Sequence, residues 1–192
     1  QAERADGQST VSTLGTLASE LNAQGKFDEA EPLYREALEV TRATLGDRHP
    51  NTLRSIGNLG VLLYQKGDLA AAEPLFREAL EVTRETLGSR HPDTLGSINN
   101  LGALRHAKGD LAAAEPLCRE ALEVQRETLG NRHPNTLNSI NALGLLLRDK
   151  GDLAAAEPLC REALEGRRET LGNRHPDTLG SIGDLGSLLG AK

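Results

Sequence analysis

Between residues 51 and 92 the apolar positions form two stripes of helical period. In NTLRSIGNLGVLLYQK, Leu53, Ile56, Leu59 and Leu63 stand three or four residues apart, so they share one side of a helix. In LAAAEPLFREALEVTRETL, Leu69, Ala72, Leu75, Phe76, Ala79, Leu80 and Val82 give a broader stripe, and Glu and Arg fill the opposite side. Gly67 separates the two as a residue that helix C-termini favour. Asp68 is placed to cap the second helix, and Gly88 ends it. At 1.5 Å per residue the first helix is about 24 Å long and the second about 28 Å. Pro74 lies near the sixth position of the second helix, with Pro32, Pro116 and Pro158 in the same place elsewhere. An interior proline removes a backbone donor and crowds the preceding turn, which predicts a slight bend or a later start to the regular helix.

The pattern recurs. Units 9–50, 51–92, 93–134 and 135–176 align without gaps at a period of 42 residues, and 177–192 starts a fifth. Units two and three are identical at 32 of 42 positions, so the chain is a repeat array. Residues 1–8, QAERADGQ, fall outside the pattern and are expected to form an N-terminal tail. The period also explains the most conspicuous candidate chemistry, the His-Pro pairs at His49, His91, His133 and His175. Each follows a helix-ending glycine, and its proline suits the first position of the next helix. The histidines are therefore expected at helix starts, as N-caps or loop neighbours. Stacked helices lie about 10 Å apart, whereas ligands must come within about 2.1 Å of one metal ion. The histidines are read as punctuation of the repeat, and no metal or other cofactor is implied.

Composition narrows the class. The 192 residues contain no Met or Trp, two Phe, two Tyr and 20 Gly, so the core must be built from Leu, Ala, Val and Ile. The absent initiator Met suggests a processed or excised piece. A net charge of −6 argues against general nucleic-acid binding, and no apolar run is long enough for a membrane span. Two cysteines, Cys118 and Cys160, are too few for a disulfide framework and point to a reducing, cytoplasmic setting. They occupy the position of Tyr34 and Phe76, where a small buried hydrophobe is expected. Catalytic constellations, phosphate-cradling loops and metal-ligand spacings are not found, so no enzyme is expected.

The run Leu59-Gly60, Leu63, Gly67-Asp68, Ala72, Phe76 and Ala79 resembles the tetratricopeptide repeat. The 42-residue length, AEPLxREALE and LGxRHPxTL are similar to the longer units of kinesin light chain and nephrocystin. The resemblance covers residues 9–192. It departs from the 34-residue form where Arg84 stands in place of the usual helix-ending proline. It implies an all-α, right-handed superhelix of antiparallel helix pairs. First helices would line a concave groove for an extended peptide or partner protein, and second helices would form the back. Gly60, Gly102, Gly144 and Gly186 stand where the family uses a small residue for close helix approach.

The units differ mainly on their first helices. Arg54 faces Gly96 and Asn138 in the alignment, Val61 faces Ala103 and Leu145, and Tyr64 faces His106 and Arg148. By the family's geometry these positions face the groove. Asn58, Asn99, Asn100 and Asn141 form a candidate ladder of amides for a peptide backbone, and Arg105, His106 and Arg148 a local basic patch. Arg105 stands where Leu63 and Leu147 are apolar and must extend its charge outward. The family's clamp for C-terminal carboxylates is not expected, because Gly15, Ser19, Asn58, Gly96 and Asn100 hold its positions. Glu73, Arg77 and Glu81 are expected to pair along the second helix. The competing reading is a structural, self-assembling array. In that reading Ile182, Leu185, Leu188 and Leu189, together with Val11, Leu14, Leu17 and Leu21, provide apolar ends for weak end-to-end association.

Overall fold

The computed structural model describes the backbone of residues 2–191 and the side chains of residues 10–191. The described residues form nine α-helices and no strand. These are α1 (Ala2–Ala23), α2 (Phe27–Leu45), α3 (Pro50–Gln65), α4 (Leu69–Leu87), α5 (Pro92–Ala107), α6 (Leu111–Leu129), α7 (Pro134–Asp149), α8 (Leu153–Leu171) and α9 (Pro176–Gly190). The backbone of Ala2 onward belongs to α1, while Gln1 and the side chains of the expected 1–8 tail lie outside the described residues.

The chain divides into two compact units, one ending at Asn100 and the other beginning at Leu101. In the first, α1 packs on α2, α2 on α3 and α3 on α4. Its core joins Ile56, Leu59, Leu62 and Leu63 of α3 to Ala72, Phe76, Ala79 and Leu80 of α4, with Tyr34, Ala37 and Leu38 of α2. In the second, α6 packs on α7, α7 on α8 and α8 on α9. There Leu137, Ile140, Leu143, Leu146 and Leu147 of α7 meet Ala156, Cys160, Ala163 and Leu164 of α8 and Leu185 and Leu188 of α9. The helices approach closely where glycine allows it. A Cβ on Gly60 would lie 2.5 Å from Cε1 of Phe76, and one on Gly144 would lie 2.9 Å from the Cys160 sulfur.

The two kinds of turn explain the repeated letters. After α3, the Asp68 N–H donates to the Leu63 carbonyl and the Gly67 N–H to the Tyr64 carbonyl, with Gly67 at φ 83°. That is a Schellman ending, which needs a residue in the left-handed region. Asp68 then accepts from the Ala71 N–H at 3.0 Å and caps α4. After α4, Gly88 adopts φ 82° and ψ 164°, a region open essentially to glycine alone. His49 caps α3: its Nδ1 accepts from the Asn51 N–H at 3.1 Å, with Pro50 at the first helical position. His91, His133 and His175 repeat that bond at 3.2 Å. The histidines are thus N-caps. The buried Thr52 and Thr94 hydroxyls donate to the carbonyls of Gly46 and Gly88 at 2.7 and 2.8 Å, tying each new helix to the glycine that ended the last.

One of the two expectations for the proline is overturned. α4 starts at Leu69, ahead of Pro74, and runs through it, so the helix does not begin late. Pro74 sits in the second turn, and one backbone hydrogen bond is lost there.

Ion pairs tie successive second helices together. Arg42 donates to both Glu78 oxygens at 2.6 and 2.7 Å, and Arg126 to Glu162 at 2.6 Å. Arg48 pairs with Glu85, and Arg132 with Glu169 at 2.5 Å. Lys66 reaches back to Asp28 at 2.7 Å and Glu31 at 2.6 Å, and Lys150 to Glu115. Hydrogen bonds from these lysines, and then from Arg35 and Arg119, hold Glu31 and Glu115 below the usual carboxylate range. Arg77 pairs with Glu73 within α4 at 2.9 Å.

Candidate functional site

The variable positions of the first helices line two open hollows in the first unit. One, of about 560 Å³, lies between α1 and α3, with Gly15, Ser19, Glu20, Arg54, Ser55 and Asn58 on its walls and Tyr34 and Ala37 at its floor. The other, of about 470 Å³, lies between α3 and the start of α5, lined by Arg54, Gly57, Asn58, Val61, Thr83, Gly96 and Asn100 among others. Arg54 and Asn58 belong to both. The arrangement follows from the sequence: small residues on facing helices leave room, while one long cation and two amides project into it. Arg54 is exposed and has no carboxylate partner among the described residues. Such a surface can donate to carbonyls and carboxylates and accept from peptide N–H groups.

The expected amide ladder splits. Asn58 and Asn100 occupy one position of the repeat, Asn99 and Asn141 the next, and one residue turns about 100° around a helix. Asn58 and Asn100 face the same hollow, Asn99 is half-buried outside it, and Tyr64 is half-buried outside both hollows. Asn141 is buried; its Nδ2 donates to Asp184 at 2.9 Å, while its Oδ1 has no partner.

The expected basic patch is largely neutralised within its own unit. His106 Nε2 lies 2.7 Å from Asp149 Oδ2, and Arg148 donates to Asp149 Oδ1 at 2.9 Å. Partial burial pushes Asp149 upward, but these two hydrogen bonds outweigh it and hold the carboxyl below its ordinary range. Arg105 does extend its charge outward, to Asp110 at 3.5 Å. The apolar end set also divides. Leu185 and Leu188 are buried in the core of the second unit, leaving Ile182 and Leu189 exposed on α9, joined by Leu179. At the other end Leu17 is exposed, while Val11, Leu14 and Leu21 are half-buried.

One polar site was not anticipated. Arg167 is 8% exposed, and its guanidinium donates to Asn138 Oδ1 at 2.8 Å, Ser181 Oγ at 2.6 Å and the Asp177 carbonyl at 3.2 Å. It thereby ties α8 to α7 and α9. The signal was present: unit four reads Gly166-Arg167 where the earlier units read Val-Thr or Val-Gln. A Cβ on Gly166 would lie 2.3 Å from Leu137, so the glycine lets that leucine fill the space valine takes elsewhere.

Nothing in the described residues gathers three or more His, Cys, Asp or Glu side chains to hold a metal. Burial raises both thiols, with a nearby carboxylate adding to it: Glu115 for Cys118 and Asp184 for Cys160. These are not activated nucleophiles. No helix among the described residues is long and apolar enough to cross a membrane.

The Tetratricopeptide repeat family model matches residues 9–85, 57–117 and 93–159. The chain belongs to the tetratricopeptide repeat family. Its fold is accordingly an all-α array of tetratricopeptide helix pairs. Two solved structures, one of them a point variant, hold the nearly identical TPR-like repeats of a Podosopora anserina kinesin light chain candidate. Both share 26% identity with this tetratricopeptide chain and cover 94% of it; TM-scores are 0.82 and 0.81, with 85% and 86% of those chains covered. BtubC (BKLC) from P. vanneervenii, at 22% identity, shares the fold with a TM-score of 0.79 over 99% of this chain and 83% of its own. The kinesin light chain type of unit, read from the 42-residue period, is thus shared with solved tetratricopeptide structures. No curated protein matches the sequence.

Proposed function

We propose that this tetratricopeptide array is a protein-interaction module whose first-helix face receives an extended peptide or partner segment, and that it acts by binding and not by catalysis. The observation that carries the proposal is the pair of hollows in the first unit. They are lined by positions that differ between otherwise near-identical repeats, with Arg54 unpaired among the described residues and Asn58 and Asn100 presented beside it. The second-helix face hardly varies in sequence between the repeats, and several of its charges are engaged in pairs such as Arg77 with Glu73 and Arg42 with Glu78. Asn99 and Tyr64 flank this site in the first unit, while His106, Asn141 and Arg148 lie in the second unit, where each already has a hydrogen-bond partner. The repeat bounds 9–50, 51–92, 93–134 and 135–176 are proposed as the units of this module, each contributing one first helix. A peptide-display selection against the intact chain, followed by titration, tests the proposal. Arg54→Ala with Asn58→Ala should weaken the selected peptide by about 1–3 kcal/mol, and Arg77→Ala should not. Equal losses from both sets would overturn it.

A further inference from the structure

The hollow between α1 and α3 is lined by two nearly buried hydroxyls that the protein itself does not use. Tyr34 is 6% exposed and Ser55 is 7% exposed, and neither hydroxyl has a hydrogen-bond partner among the described residues. Buried hydroxyls are ordinarily bonded. Serine recurs at the Ser55 position in later repeats, and there it is engaged: Ser97 Oγ donates to the Asp93 carbonyl at 3.0 Å, and Ser181 Oγ accepts from Arg167 at 2.6 Å. Tyr34 is singular in another way. Phe76, Cys118 and Cys160 hold its position in the other repeats, so it alone brings a hydroxyl there. It is also the one paired with an alanine, because Ala18 stands where Gly60 does. A Cβ on Gly60 would lie 2.5 Å from the Phe76 ring. With a real Cβ on Ala18, α1 and the tyrosine cannot repeat that contact, and space is left beside the ring.

We infer that this hollow is a subsite for a carboxamide side chain, glutamine or asparagine, of the bound segment, read by the hydroxyls of Tyr34 and Ser55. The inference rests on the first-helix reading proposed above. A hydroxyl both donates and accepts, and an amide offers a carbonyl to one and an N–H to the other. An aliphatic side chain would strip water from both hydroxyls and return no hydrogen bond. A carboxylate could only accept, and its charge would be desolvated beside neutral groups. The walls favour neither sign of charge, since Arg54 and Glu20 both line the hollow, exposed and without an ion-pair partner among the described residues. At about 560 Å³ the hollow has room for the side chain and the backbone that carries it. Arg54 and Asn58 stay available for that backbone.

The probe is a displayed peptide library, selected in parallel on the full chain and on Tyr34→Phe. That change puts the residue of the next repeat at this position, and circular dichroism checks that the fold is kept. Binders of the original chain should share glutamine or asparagine at one position, and binders of Tyr34→Phe should not. In a synthesised binder, exchanging that residue for glutamate or leucine should weaken binding to the original chain about tenfold, and to Tyr34→Phe no more than about threefold. With Ser55→Ala added to Tyr34→Phe, the leucine peptide should bind better than the amide peptide. Binders that lose affinity with Arg54→Ala and Asn58→Ala, yet share no amide or keep their preference in the doubly changed chain, would overturn this inference and leave the first-helix reading standing. A shared glutamate, or a shared apolar residue, at the discriminating position would do the same. Absence of any binder would remove that reading and this inference with it.

Discussion

Two glycines three residues apart on α3 give a sharp test of why the array contains so many. Gly57 has nothing within 4 Å of its Cβ position, whereas a Cβ on Gly60 would lie 2.5 and 2.9 Å from two ring carbons of Phe76. Phe76 is 2% exposed, so its ring has no free space into which to swing. Gly→Ala in a helix interior contributes up to about 1 kcal/mol through backbone entropy. Gly57→Ala should therefore stabilise the chain by about 0.5–1 kcal/mol. At Gly60 the same gain is opposed by overpacking of about 1–3 kcal/mol, for a net loss of about 0–2. The two variants should differ by about 1–3 kcal/mol, or several degrees in Tm at about 2–4 °C per kcal/mol for a chain of this size. Thermal and urea unfolding followed by circular dichroism would read this. A double-mutant cycle isolates the cause: with Phe76→Cys, the cost of Gly60→Ala should fall. The two cysteine repeats bracket the relief, since a Cβ on Gly102 would lie 3.4 Å from the Cys118 sulfur and one on Gly144 2.9 Å from that of Cys160. Equal stabilisation by Gly57→Ala and Gly60→Ala would refute the close-approach explanation.

Other outcomes follow from the same structure. His133→Ala should cost about 1 kcal/mol through loss of the cap on α7, and His133→Asn should restore most of it; unfolding midpoints decide. Because Glu31 and Glu115 have folded-state pKa values below the ordinary 4.5, their pairs add stability above that pH and lose it as pH falls through the lowered values. Urea midpoints measured from pH 6 to pH 3 should fall, and fall less steeply with Lys66→Met and Lys150→Met together. Iodoacetamide should label the half-buried Cys118 faster than the buried Cys160 in the native chain, read by intact mass. Arg167→Ala should speed amide hydrogen exchange across 176–190, because α9 loses two of that guanidinium's three hydrogen bonds.

Helix number, length and turns were legible because each rests on local chemistry that recurs in register. Leu69–Leu87 is the predicted 19-residue second helix, and the His-Pro start, the Gly67-Asp68 turn and the Gly88 stop all serve as read. Side-chain partners were less legible. His106 and Arg148 read as a basic patch because Asp149, which accepts from both, is unique to its repeat. The asparagines read as a ladder because the repeat pattern does not display the step of about 100° between the adjacent positions that hold Asn99 with Asn141 and Asn58 with Asn100. Arg167 escaped notice because it lies on the second helix, where the repeats otherwise agree, although Gly166 beside it marked the exception. Leu185 and Leu188 show the same limit: periodicity puts apolar residues on α9 but does not say which side α7 and α8 cover.

The claim that most needs testing is that partner segments lie on the first-helix face. Photocrosslinking side chains placed singly at Asn58, Asn100 and Glu81, in the full chain exposed to a selected peptide, address it directly. Asn58 and Asn100 line one hollow, while Glu81 is exposed on α4. The account predicts peptide adducts from positions 58 and 100 and none from 81. Adducts from 81 alone, or from all three equally, would contradict it.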